Sequence, residues 1–283
     1  MLTINEISIV ILVIIWTIII ISAIFDYGKK RVVKEYPAIS FIVPCYNSEK
    51  TIKDTIKSIY DSYDGHEFEV IVIEDKSTDD SLYILRGLQK KYGFKLIINN
   101  KNLGKANSIN RNYKKSKYDL IWMVDSDIII NKEAIYGILA RFQTNPKLVA
   151  ANCAYKMRNK GWFARMQQME CSMMSFILMS HNAFSTLYLW GGCLAIKKAA
   201  FEKVRGYSEN MLTEDADLAF KLKEQDMYVE HSMIPVSCIC VDNFKGWCKQ
   251  KSRWISGTVQ CYIKHVKVWI RHPLHIIFLL LFS

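Results

Sequence analysis

The chain has 283 residues, 51% of them hydrophobic, and 38 Lys and Arg against 27 Asp and Glu give it a net charge of +11. That length holds one large domain plus appendages, and the lack of internal repeats or low-complexity linkers excludes a repeat architecture or a low-complexity scaffold. Eight cysteines stand singly apart from Cys238-x-Cys240, a spacing that excludes a zinc framework and reads as reduced cytosolic thiols.

In chain order, Ile7 to Phe25 is a run of 19 uncharged, mostly Ile, Val and Leu residues. As a helix it would cross roughly 30 Å of hydrocarbon, which predicts a membrane anchor. A cleavable signal peptide is the alternative, but that class has a basic leader and a shorter core, and here Glu6 is the sole charge before the run. Lys29, Lys30, Arg31 and Lys34 follow it, with no Lys or Arg ahead. The positive-inside rule then puts the remainder of the chain in the cytoplasm.

From residue 38, short β-rich runs alternate with amphipathic stretches. Ile39 to Val43 reads as a buried strand ended by Pro44, and Ser48 as the cap of a helix running to about Tyr63, with Glu49 in its first turn. Val70 to Ile73 is the next strand, after which Ser77-Thr78-Asp79-Asp80 caps a helix to about Tyr92. Leu96 to Ile98, a helix from about Lys105 and the strand Leu120 to Val124 follow. Units of this length imply an α/β domain, a parallel sheet with helices on both faces. Ligands of such sheets bind beyond the carboxyl ends of the strands, where Asp75 and Asp125 stand.

The second half is less regular. Trp162 to about Asn182 reads as a helix in which Met166, Met169, Met173, Met174 and Phe176 recur near helical spacing, as core or membrane-surface contacts. Trp190-Gly191-Gly192-Cys193 reads as a tight turn before a short strand. Glu214 to about Gln225 is a helix, and Phe244 to about Trp269 one or two amphipathic helices. That last stretch carries Lys245, Lys249, Lys251, Arg253, Lys264, Lys267 and Arg271 and no acid. An anionic membrane surface suits a tethered chain better than nucleic acid does. The run Ile276 to Phe282 is too short to span; it would lie in the interface or begin a further span.

Several residues carry candidate chemistry. Asp125 and Asp127 follow an apolar strand and, two apart on extended backbone, can face one Mg²⁺ or Mn²⁺; Asp-x-Asp is also a common turn cap. Asp75 can accept hydrogen bonds from a nucleobase or ribose, or simply cap a helix. Lys105, after Asn102-Leu103-Gly104, stands at a helix start that favours phosphate, or is a surface lysine. Asp215 can serve as a general base toward an acceptor hydroxyl, although Glu214 and Asp215 at a helix start also suit the helix dipole. Gln250, Arg253 and Trp254 share a helix face. There Arg253 could fork onto a diphosphate and Trp254 offer a plane for a sugar ring; a buried Trp with a snorkelling Arg is the plainer alternative. The six histidines are dispersed, and none is assigned to a metal.

Taken in this order, the motifs resemble family 2 glycosyltransferases, particularly the processive membrane synthases of cellulose, chitin, hyaluronan and poly-N-acetylglucosamine. Val43-Pro44-Cys45-Tyr46-Asn47 is similar to the family's opening strand and nucleotide loop, which implies donor contacts for Pro44, Tyr46 and Asn47. Asp75 matches the uridine-binding acid, and Leu103-Gly104-Lys105 with Asn107 and Asn110 the donor loop. Asp125 and Asp127 match the metal motif, Asp215 the base, and Gln250, Arg253 and Trp254 the signature of the processive branch. Trp190, Gly191, Gly192 and Cys193 stand where that branch forms its acceptor floor, with Glu214 and Trp254 also on the acceptor side.

The resemblance implies a GT-A type, Rossmann-like fold and an inverting displacement in which a UDP-sugar extends a β-linked glycan acceptor. The expected divisions are residues 1–30 (anchor), 31–243 (catalytic domain) and 244–283 (Gln-x-x-Arg-Trp and interface helices). Single transfer to a lipid phosphate or lipid-linked saccharide, and a catalytically silent scaffold, are the alternatives; no feature assigns an oligomeric state. Lys76 departs from the pattern by following the acidic pair where the family usually has Gly.

Overall fold

The computed structural model describes residues 4–29, 31–186 and 188–272. Its centre is a seven-stranded sheet, β1 (Ile39–Cys45), β2 (Phe68–Glu74), β3 (Lys95–Ile98), β4 (Leu120–Val124), β5 (Leu148–Met157), β6 (Cys193–Lys197) and β7 (Tyr228–Cys238), in the order β3-β2-β1-β4-β6-β5-β7. β1, β2, β3 and β4 run parallel. The expectation of a wholly parallel sheet needs correction, because β6 is antiparallel to both β4 and β5. The sheet is therefore mixed.

β1 and β4 are buried along their whole length, which is why both appear in the sequence as unbroken apolar runs. One face of the sheet packs Phe41, Val43 and Trp122 against α2 (Ile52–Ser62), α3 (Ser81–Tyr92) and α5 (Lys132–Thr144), through Ile56, Leu85 and Ile138. The other packs Ile42, Ile73 and Met123 against α4 (Lys105–Asn112), α7 (Lys198–Lys203) and α8 (Glu214–Glu224), through Ile109, Phe201 and Leu218. Each such side chain taken fully out of water contributes about 1.5–3 kcal/mol, so the central strands form a stiff platform for the loops at their ends.

One helix start differs from expectation and another follows it. Ser48 does not cap α2; the helix begins four residues later, after Thr51, because the Ser48 hydroxyl is engaged with Tyr46 O and the Ser126 hydroxyl. Asp79, in contrast, accepts from Ser81 N at the start of α3 as its position suggests. The long helix of the second half is α6 (Trp162–Ser180), which lies against β5 and β7 and ends in a short 3₁₀ turn, His181–Phe184. The C-terminal pair is α9 (Phe244–Lys264) and α10 (Val266–Arg271). The Ile276 to Phe282 run lies outside the described residues.

The N-terminal helix α1 (Ile4–Gly28) packs along α6. Its last turn enters the domain through a buried ionic junction: Asp26 receives Arg141 Nη2 at 2.8 Å and Asn182 Nδ2 at 3.1 Å, while Arg141 Nη1 reaches Glu230 at 2.7 Å. Among the described residues no helix is long and apolar enough to cross a membrane, so the span expected over Ile7 to Phe25 is not matched there. Several side chains inside α1 lie outside the description.

Candidate active site

The ladder between β1 and β4 stops at Ile42 and Met123, although β1 continues to Cys45. Beyond that point the two chains diverge, and the loops after β1, β2 and β4 border one crevice, the usual ligand position in an open α/β sheet. The Ser48 and Ser126 hydroxyls meet at 2.6 Å, and Thr55 Oγ1 donates to Ser126 O at 2.9 Å, so the Asp125-Ser126-Asp127 turn is fixed from the β1 side.

On the β2 side, Asp75 is 3% exposed. Its carboxylate accepts from Asn99 Nδ2 at 2.7 Å, Leu103 N at 2.9 Å and Gly104 N at 2.8 Å. A carboxylate offers about four acceptor positions, so most of Asp75 is spent shaping the loop that delivers Lys105. Asn47 plays a similar part, its Oδ1 accepting from Thr78 N at 2.8 Å. Tyr46 is exposed at the crevice and Pro44 lies in the β1–β2 ladder opposite Ile73. Lys76 adopts φ +61°, the left-handed conformation that Gly takes without strain.

Lys105 enters the crevice and pairs with Asp125 at 2.6 Å, with Glu214 at 3.6 Å and with the Gly191 carbonyl at 3.2 Å. Burial alone would lower its pKa, but the Asp125 and Glu214 charges outweigh that and hold the ammonium well above its ordinary value. Asp127 is pushed up to about 6, first by burial and then by the Asp125 charge. Two carboxylates crowded on one turn, one already neutralised by an ammonium, form an oxygen donor set that fits a hard divalent cation completed by water and phosphate. Among the described residues no cluster of three or more His, Cys, Asp or Glu forms a protein-only metal cage.

Gly191 and Gly192 form the turn expected to face an acceptor, and both are hydrogen-bonded into the crevice. Gly192 O accepts from Asp125 N at 2.8 Å, and Gly191 N donates to Asp215 Oδ2 at 2.7 Å. Two adjacent residues therefore tie the metal-motif turn to the expected base. Neither tolerates a side chain: a Cβ on Gly191 would lie 2.9 Å from Asp215 Cβ, and one on Gly192 would lie 2.6 Å from Tyr155 Oη. Asp215 is pushed up to about 6 by burial and then by the neighbouring Glu214 charge.

Trp190 stacks on Tyr155 with ring centroids 4.9 Å apart. Cys193 does not line this floor; it is fully buried, and its Sγ accepts from Trp122 Nε1 at 3.2 Å. Tyr155, which supports both Trp190 and Gly192, escaped the sequence reading because it carries no motif.

Gln250, Arg253 and Trp254 lie on α9 as expected. Arg253 Nη1 donates to Leu212 O at 2.9 Å, holding the residue just before Thr213-Glu214-Asp215. The Lys251 ammonium covers the Trp254 ring at 4.1 Å and also pairs with Glu170. Gln250 is half-buried.

Residues 40–205 match the model of the family described as "Glycosyl transferase family 2". The chain is 29% identical over 228 residues to a poly-beta-1,6-N-acetyl-D-glucosamine synthase of Staphylococcus epidermidis, covering 79% of this chain and 55% of the relative. It is 28% identical over 229 residues to the protein of that name from Staphylococcus aureus, covering 80% and 55%. The chain thus spans about half the length of the curated relatives it matches. Among solved structures, a mannosyltransferase of Pyrobaculum calidifontis in complex with GDP-Man and Mn²⁺ aligns with TM-score 0.70 and 17% identity, over 89% of this chain and 75% of that one. S. aureus TarS 1–349 in complex with UDP-GlcNAc aligns with TM-score 0.54 and 20% identity, over 73% and 60%. Those two likenesses concern the fold, and the family match covers more than half of the sequence: the chain belongs to glycosyl transferase family 2.

Proposed function

We propose that this chain is a membrane-anchored, inverting glycosyltransferase that uses a UDP-sugar, UDP-N-acetylglucosamine foremost, to extend a β-linked polysaccharide at the cytoplasmic face. The observation that carries the reading is the Gly191-Gly192 junction, which brings Asp215 and Asp125 to opposite sides of one dipeptide. The names of the staphylococcal relatives favour N-acetylglucosamine as the sugar. The anchor rests on the uncharged run Ile7 to Phe25 with its basic flank.

In this reading the nucleotide lies in the crevice bordered by Tyr46, Asn47 and the loop shaped by Asp75. Asp125 and Asp127 would hold Mg²⁺ or Mn²⁺, whose chemistry is to balance charge on the departing diphosphate. Lys105 adds a second positive charge at the same place. The acceptor hydroxyl rests against Trp190 and Gly191, and Asp215 Oδ1 or Oδ2 takes its proton. The hydroxyl oxygen then forms the bond to sugar C1 as the bond from C1 to the diphosphate oxygen breaks, and UDP carries away the electron pair. A carboxylate raised to about 6 is a better proton acceptor than an ordinary one and is still ionised at neutral pH.

The test is UDP release from a set of UDP-sugars with Mn²⁺ or Mg²⁺, followed by product mass. A ladder of oligomers from UDP-N-acetylglucosamine is expected. A single added sugar on a lipid would replace the polymer reading, and no nucleotide binding with metal present would remove the enzyme reading.

A further inference from the structure

The Gln-x-x-Arg-Trp helix carries contacts beyond its own motif. Arg253, Gly257, Gln260, Cys261, Lys264 and His265 recur at helical spacing on one face, against the segment that leads into and includes the first turns of α8. Gln260 Oε1 accepts from Leu212 N at 3.2 Å, and a Cβ on Gly257 would lie 2.4 Å from Thr213 Oγ1. The Thr213 side chain therefore packs directly on the Gly257 backbone, two residues before Asp215. At the far end of α9, Lys264 Nζ and His265 Nε2 converge on Asp217 Oδ1 at 2.6 and 2.9 Å. His265 Nδ1 lies 2.8 Å from Glu224 Oε1, and the Phe220 ring stacks parallel to the imidazole with centroids 5.4 Å apart. Asp217 is fully buried and His265 is 3% exposed.

A neutral imidazole has one donor nitrogen and one acceptor. With a carboxylate oxygen facing each nitrogen, the ring satisfies both only as an imidazolium. Asp217 stands two residues beyond Asp215 on the same helix, so whatever fixes Asp217 fixes the first turns of α8. We propose that His265, bridging Asp217 and Glu224 as an imidazolium, is a positioning residue that clamps the Gln-x-x-Arg-Trp helix to α8 and so holds Asp215 in register with Gly191. It moves no proton of the reaction. This deepens the reading of Asp215 as base and rests on it.

The two carboxylates, Asp217 and Glu224 of α8, are at hydrogen-bond distance from the ring nitrogens, Lys264 of α9 shares Asp217 Oδ1, and Lys221 of α8 and Arg205 lie within electrostatic reach of that cluster. Burial would lower the imidazole pKa, but its bonds to Asp217 and Glu224 outweigh that and raise it. A raised His contributes fully below its ordinary pKa, and the contribution is lost as pH rises through the raised value. The clamp therefore releases on the alkaline side.

The experiment measures UDP release from UDP-N-acetylglucosamine by the full chain between about pH 5 and 9, the range in which His titrates, for wild type, His265→Gln and Glu224→Gln. Wild-type kcat should fall on the alkaline side. Glu224→Gln, which removes one charge partner, should move that limb about one unit toward acid. His265→Gln should lose the limb and about tenfold in kcat with donor KM changed less than about twofold, the pattern of a misplaced base. An unchanged alkaline limb in both variants, or a loss confined to KM, overturns the clamp. If His265→Gln does not fold, the Glu224→Gln shift decides. Melting temperatures over the same range decide without turnover: the wild-type advantage over Glu224→Gln should shrink as pH rises, and a constant difference overturns the proposal. An inactive wild type with the expected melting behaviour would instead sink the transferase reading and leave the clamp standing.

Discussion

The two halves of the site are held by different forces. In the loops after β1 and β2, acids meet neutral donors: Asp75 accepts from Leu103 N, Gly104 N and Asn99, Glu74 from Ser77 N, and Asp79 from Glu49 N and Ser81 N. Around Lys105, charge faces charge, with its ammonium between Asp125 and Glu214, and Asp215 beside Glu214. The first half is shaped before any ligand arrives. The second is electrostatically loaded, and under the proposed function the charge of a diphosphate and its cation would redistribute Lys105. Under the proposed function, binding and chemistry fall to separate kinds of contact, and substitutions should separate them.

The largest effect is expected at Asp215. Asp215→Asn keeps an acceptor for Gly191 N but loses the base, so kcat should fall by about 10²–10⁴-fold, the usual share of general-base catalysis, while UDP affinity measured by calorimetry changes little. In the wild type, activity should rise with pH through about 6, because the base must lose its proton before it can work. A pH profile flat between about 5 and 7, or an active Asn variant, would break the division between the halves.

Gly191→Ala comes next. Its Cβ would press on Asp215 Cβ at 2.9 Å, and an error near 1 Å at a reacting group costs about 10²-fold. Steady-state kinetics should show that loss in kcat with donor KM nearly constant.

Asp75→Asn attacks the other half. It replaces one acceptor oxygen with a donor facing backbone N–H groups, and a lost charged hydrogen bond costs about 1–3 kcal/mol. Urea unfolding should register that cost, and donor KM should rise more than kcat falls. The smallest effect is at exposed Lys76, where Lys76→Gly relieves a left-handed residue and should stabilise the fold by about 0.5–1 kcal/mol in the same assay.

The same division explains what could be read from residues alone. β1, β2 and β4 are short apolar runs with polar ends, and the acids at those ends fall where the sheet delivers them. β5 and β7 were not anticipated. β7 contains buried Glu230, His231 and Ser232 and then Pro235, and buried Asn152 interrupts β5, so neither shows an apolar run or clean alternation. Glu230 is polar because it serves Arg141, a partner 89 residues away. The antiparallel setting of β6 has no local signature either. Within the site, the Asp-x-Asp, Thr-Glu-Asp and Gln-x-x-Arg-Trp motifs could be named in sequence. The Lys105–Asp125 pair, the support of Tyr155 and the contact of Arg253 with Leu212 depend on folding. Asp75 shows the limit of a motif: its place was legible, but its engagement with Leu103 and Gly104 was not.

The junction at Asp26 bears on how this protein can be handled. A version trimmed to begin at β1 would deprive Arg141 of one of its two carboxylates and leave Asn182 without one of its acceptors. Arg141 would keep Glu230, but removing one partner from a buried ionic group is destabilising. Removing the N-terminal helix to gain solubility would therefore damage the remainder, and shortened versions should retain residues through Asp26 or replace Arg141 together with its partners.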